Sequence, residues 1–209
     1  MALRWLLMLA LLPGIAAAQA TEWWPELDIY WRPANRQRTF LEISSSADRD
    51  SPTRQDNVGL YQDYLNLPAG FLRGGFRYSF SPQGNFHESR LVAEGTYRTY
   101  GTDLVRLLSR TRTEFRWVNG VYSYRIRERL HLQRLSQMHH GPSWGPYITL
   151  EAYYSSQYNT IISRLAGRIG TEALLGGPKS IDVYVARQND LRGSPRYVNA
   201  LGMTFRLSY

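Results

Sequence analysis

The sequence predicts an all-β fold: an antiparallel up-and-down transmembrane β-barrel of ten to twelve strands, twelve preferred, with its apolar face to lipid and an arginine-rich lumen. Three observations predict it. The first 20 residues have the three parts of an export leader. The remainder alternates apolar and polar residues with period two, the mark of strands and not of helices. The chain also stops on an aromatic residue that closes an alternating segment.

In the leader, Arg4 supplies the positive start and Trp5 to Leu12 a short apolar run. Pro13-Gly14 breaks that run, and small residues follow. Ala16-Ala17-Ala18 and Ala18-Gln19-Ala20 both suit an A-x-A cleavage site, giving a mature start at Gln19 or Thr21. Residues 1–20 are thus read as a cleaved secretory signal peptide and residues 21–209 as a single barrel domain, with export to the periplasm and on to the outer membrane of a Gram-negative bacterium. The apolar run is too short to be a membrane helix. A formal charge of +8 would otherwise suggest nucleic acid; an exported chain does not meet it. With no cysteine, neither disulfides nor thiolate metal sites are available.

The strands follow in chain order at 24–32, 37–45, 57–67, 70–81, 86–98, 103–118, 121–135, 146–155, 160–175, 178–187 and 196–209. Eleven segments are counted, whereas single-chain bacterial barrels have an even number of strands; hence twelve, or ten. In the last segment Leu201, Met203, Phe205, Leu207 and Tyr209 share one face, and Ala200, Gly202, Thr204 and Arg206 the other. Met203, Phe205, Leu207 and Tyr209 resemble the terminal signal read by the barrel assembly machinery during insertion.

The Asn119-Gly120 pair gives the sharpest geometric prediction. Asn-Gly between alternating segments favours a two-residue type I′ turn with positive φ at both positions. That turn sets Trp117 opposite Tyr122, Phe115 opposite Tyr124, Glu114 opposite Arg125, Arg112 opposite Arg127, and Arg110 opposite Arg129. Aromatics and charges fall on opposite faces, and a one-residue slip would mix them. Glu128 is the exception, a carboxylate on the apolar face. Similar splits occur at Leu72, Phe76 and Tyr78 against Arg73 and Arg77, at Leu91 and Ala93 against Arg90 and Glu94, and at Leu165 and Ile169 against Arg164 and Arg168. Segments such as 103–118 are long for a soluble sheet. The 15 Tyr and 6 Trp gather near segment ends, as interfacial girdles do.

Several segments together resemble the bacterial domain-of-unknown-function family numbered 2490 over nearly the whole mature chain. They are Trp24-Pro25-Glu26-Leu27-Asp28-Ile29-Tyr30, Arg73-Gly74-Gly75-Phe76-Arg77-Tyr78, Arg110 to Arg116, Tyr122 to Arg129, Tyr184 to Asp190, and Asn199-Ala200-Leu201-Gly202. The resemblance implies an outer-membrane barrel and supplies no catalytic residues. A looser likeness, of size and arginine content alone, is to small porins for acidic oligosaccharides.

The lumen is predicted to carry Arg73, Arg77, Arg90, Arg106, Arg110, Arg112, Arg116, Arg125, Arg127, Arg129, Arg164 and Arg168, with Arg98 and Arg206 on the same parity. Glu88, Glu94, Glu114, Glu151 and Glu172 are their counter-charges. Two functions compete. A single-sign lining would make a narrow anion-selective pore for small anionic solutes; an Arg–Glu network filling the barrel would make a non-conducting structural scaffold. An outer-membrane hydrolase is the third class, resting on His131, on His139-His140, and on Ser136 and Ser143, without a GxSxG elbow. No metal-ligand spacing and no phosphate loop occur, so neither metal nor cofactor is expected. Lipid is the expected partner.

Overall fold

The computed structural model describes residues 21–47, 54–67, 69–82, 84–102, 104–134, 144–157, 162–191 and 197–209. The predicted leader and the segment holding His139, His140, Ser136 and Ser143 lie outside them. Eleven strands are described: β1 (Thr21–Ala34), β2 (Gln37–Ala47), β3 (Arg54–Leu67), β4 (Gly70–Phe80), β5 (His87–Gly101), β6 (Val105–Val118), β7 (Val121–Arg134), β8 (Trp144–Ser155), β9 (Arg164–Gly176), β10 (Lys179–Asp190) and β11 (Tyr197–Ser208). Each predicted segment matches one strand.

Each strand pairs antiparallel with the next, and β1 pairs with β11 to close the barrel. Twelve strands, all antiparallel, was therefore the wrong expectation. The described strands number eleven, and with an odd count the first and last run in the same direction. The seam is accordingly parallel, with Trp24 beside Gly202 and Asp28 beside Arg206. A parallel ladder has evenly spaced, slanted hydrogen bonds, slightly weaker per residue than the antiparallel kind. Tyr209 continues the seam, its backbone N–H donating to the Tyr30 carbonyl at 2.8 Å.

The β6–β7 hairpin has the register its turn demands. Asn119 and Gly120 have φ of 48° and 85°. Trp117 faces Tyr122, Glu114 faces Arg125, and Arg110 faces Arg129. At the seam Gly202 is required by a close approach: a Cβ there would lie 2.0 Å from the inward Tyr184 ring.

The two sides of the wall differ sharply. Leu72, Phe76, Leu91, Leu130, Ile148 and Leu150 point outward and are exposed. Rims of aromatics edge this belt. Trp23, Tyr78, Trp117 and Tyr122 stand at the end holding the β6–β7 turn; Trp31, Tyr64, Tyr97 and Trp144 stand at the other. Met203, Phe205 and Leu207 of the predicted insertion signal lie on the outward parity, and Tyr209 is exposed just past β11. The interior is polar, a network of arginines and carboxylates with two small aromatic clusters. One groups Phe40, Tyr61 and Val92; the other groups Trp24, Tyr147, Tyr184, Ala186 and Ala200.

Candidate functional site

Period-two alternation carries the predicted arginines to the inner face of β4–β9. Arg73, Arg90, Arg112, Arg116, Arg125, Arg127 and Arg164 are buried there; Arg77, Arg106, Arg110, Arg129 and Arg168 are partly exposed on the same face. Arg206 is also inward, whereas Arg98 is exposed near the end of β5. Of the five predicted counter-charges, Glu88, Glu94, Glu114 and Glu151 are buried and Glu172 is half-buried.

Most of the groups on β5–β8 form a continuous ion-pair network along the wall. Glu88 holds Arg90 and Arg116, each at 2.5 Å. Glu94 holds Arg112 at 2.5 Å and Arg110 at 3.5 Å. Glu114 binds Arg125 at 2.7 Å and Arg127 at 2.9 Å, with Arg90 and Arg112 within 3.8 Å. Glu151 gathers Arg110, Arg127 and Arg129 at 3.0–3.4 Å. Like charges directly opposite in a ladder destabilise it, so the Arg112/Arg127 pair needs anionic company. Glu114 supplies it, accepting from Arg127 Nη1 while standing 3.8 Å from Arg112.

Six further carboxylates face the lumen that the sequence reading did not place there: Glu26, Asp28, Glu42, Asp63, Asp182 and Asp190. Asp63 binds Arg38 and Arg73, each at 2.6 Å, and Glu42 pairs with Arg77 at 3.3 Å. Arg206 ties Asp28, Glu172 and Asp182 at 2.8–3.5 Å, across the seam. Asp190 stands 3.8 Å from Arg164. The same alternation used for β4–β9 locates these acids, since Glu26, Asp28 and Tyr30 share a parity, as do Phe40 and Glu42. The lumen is therefore far closer to charge balance than the arginine-dominated prediction.

Among the described residues the lumen holds cavities of about 110 and 230 Å³. Both are lined by Glu26, Glu42, Arg77, Arg127 and Arg168. Those five shared residues are acids on β1 and β2 and arginines on β4, β7 and β9. Beside them Tyr153 donates to Glu151 at 2.9 Å, and the Arg127 guanidinium sits 4.8 Å from its ring centre.

His131, the described candidate base, lies in the larger cavity. Its Nδ1 is 2.9 Å from the Thr149 hydroxyl and its ring packs 4.8 Å from Tyr147. Among the described residues no carboxylate hydrogen-bonds to the ring, so a base–nucleophile–orienter set is not assembled there. No cluster of three His, Asp or Glu positioned to hold a metal occurs among the described residues. No protein-family model and no curated protein matches the chain.

Proposed function

We propose that this chain is an outer-membrane barrel of the type its resemblance to family 2490 implies, with a lumen braced by ion pairs and closed to bulk flow. The membrane part of this reading is supported by the inverted distribution of residues: apolar side chains outward, aromatic rims at both ends, charge inside. The braced lumen rests on one observation. Nearly every inward arginine is held by a carboxylate of its own wall, many with less than 10% of their surface exposed. Paired charges brace a wall and leave little net potential to draw ions through it.

The test is current across a planar bilayer under a salt gradient, with the refolded mature chain. No steady conductance is expected from a barrel that shows heat-shifted migration, the sign of folding. Steady current with an anion-selective reversal potential would replace this reading with the narrow pore. The two cavities, which share five lining residues, favour that second reading. In that case Glu26→Gln and Glu42→Gln should raise anion selectivity, and Arg77→Gln should lower it.

Insertion itself is tested separately by quenching with brominated lipid. Adjacent Trp23 and Trp24 point to opposite sides, 44% and 9% exposed. In variants retaining a single tryptophan, Trp23 should be quenched strongly and Trp24 weakly. Equal quenching of the two would contradict the membrane reading.

A further inference from the structure

The ion pairing of the lumen is uneven: among the described residues Arg106 is met by the Gln133 side chain and by no carboxylate, and a larger shortfall gathers around the 230 Å³ cavity. Arg110 on β6 faces Arg129 on β7 in the ladder, and both turn to the same carboxylate, Glu151, which Arg127 also uses. Glu94 gives Arg110 a second contact at 3.5 Å. Two strands beyond Arg129, Arg168 on β9 has no ion pair among the described residues; its guanidinium lies 4.9 Å from the Tyr184 ring centre. All three arginines line the 230 Å³ cavity.

Unused donors mark the same spot. The Nε–H groups of Arg110 and Arg129 are buried with no hydrogen-bond acceptor, as is that of Arg77 across the cavity. A buried donor without an acceptor costs free energy, and an uncompensated buried charge costs more. Glu26, Asp28, Glu42 and Asp182 also line the cavity. Asp28 and Asp182 are held by Arg206 and Glu42 by Arg77, and none of the four forms an ion pair with Arg168 among the described residues.

We propose that Arg110, Arg129 and Arg168 form a binding site for a small free oxyanion of the phosphate or sulfate class. Guanidinium groups present planar forks of N–H donors that match the oxygens of such anions. The cavity has the volume of several waters, room for a tetrahedral oxyanion with part of its hydration. Chloride would meet the charge and leave most of the directed donors unused, so the site discriminates by geometry. The site concerns the lumen alone and stands whether or not the barrel conducts.

The test uses the mature barrel refolded in detergent, with heat-shifted migration as the criterion of folding. Equilibrium dialysis of radiolabelled inorganic phosphate should show saturable binding, displaced by sulfate and little affected by chloride at equal ionic strength. Arg168→Gln should weaken binding about tenfold or more, the worth of one charge-assisted hydrogen bond. Arg187→Gln, which removes an arginine stacked on Tyr197 on the outer face, should leave it unchanged. Absence of saturable phosphate or sulfate binding to the folded wild type overturns the proposal. So does wild-type affinity in folded Arg168→Gln. Should that variant not fold, Arg168→Lys decides: it keeps the charge and loses the fork, and undiminished affinity in it overturns the site. A barrel that binds phosphate but does not insert into liposomes would keep this site and refute the membrane reading; the opposite result would do the reverse.

Discussion

Glu114 and Glu128 lie on the same hairpin, yet they live in different chemistries. Glu114, inward on β6, is 1% exposed and touches Arg125 and Arg127, with Arg90 and Arg112 close by. Glu128, outward on β7, is exposed, and its carboxylate accepts, among the described residues, from the Thr111 hydroxyl at 2.6 Å and the Ser109 hydroxyl at 3.0 Å. The difference teaches that the face of the wall, more than the residue type, decides how a charge is housed. Inside, carboxylates are structural hubs; outside, a carboxylate is tolerated only with hydroxyls built beside it.

The largest expected effect breaks the inner member of the pair. Glu114→Gln leaves Arg125 and Arg127 buried with a neutral partner, and losing one side of a buried ion pair costs about 3–5 kcal/mol. Urea unfolding of the refolded barrel, followed by tryptophan fluorescence, should show a loss of that size. Glu128→Gln should cost less than about 1 kcal/mol, because an amide still accepts from Ser109 and Thr111. Equal losses from the two substitutions would show that the inner network is not what holds the wall.

Neighbouring glycines extend the same contrast to packing. A Cβ on inward Gly75 would lie 2.4 Å from the Tyr61 ring and 2.6 Å from the Leu60 carbonyl oxygen; on outward Gly74 it would meet nothing within 4 Å. Backbone cannot move aside as a flexible side chain can. Gly75→Ala should therefore cost about 1–3 kcal/mol by overpacking. Gly74→Ala should be neutral or stabilising by up to about 1 kcal/mol, since alanine loses less backbone freedom on folding. Parallel urea titrations of the two variants check the sign as well as the size.

The sequence made the hairpin faces legible because one turn fixes every pair that follows it. Asn119-Gly120 set the register of β6 and β7, and observed pairs such as Leu107–Leu132 and Leu108–His131 agree with it. The segment count was legible too: eleven alternating runs correspond to eleven strands. A count of twelve rests on a rule about barrels in general, and no residue of this chain asks for it. The acids of β1–β3 and β10 are illegible for a different reason. No Asn-Gly turn anchors those strands, and their inner faces mix acids with Trp24, Tyr30, Phe40, Tyr61 and Tyr184, so charge alone does not flag the lumen side. The three-dimensional sharing of Glu151 among Arg110, Arg127 and Arg129 lies beyond any one-strand pattern, because it joins three strands.

A small effect carries the most information about the outer face. Glu128 lies near the middle of β7, seven residues after Val121 and six before Arg134, flanked on its face by Ile126 and Leu130. At that height a carboxylate in a lipid belt is unfavourable, though by less than the roughly 2–4 kcal/mol of a cation at the midplane. Glu128→Leu removes that cost and continues the apolar row, while leaving the Ser109 and Thr111 hydroxyls to bond locally to backbone carbonyls. In liposomes the variant should therefore be more stable than wild type, by about 1 kcal/mol. In a soluble setting the same change would enlarge an exposed apolar patch and lower solubility. A stabilised, inserted Glu128→Leu barrel would fit an outer face solvated by lipid; an aggregating one, with wild-type stability unchanged by lipid, would argue that this face meets water.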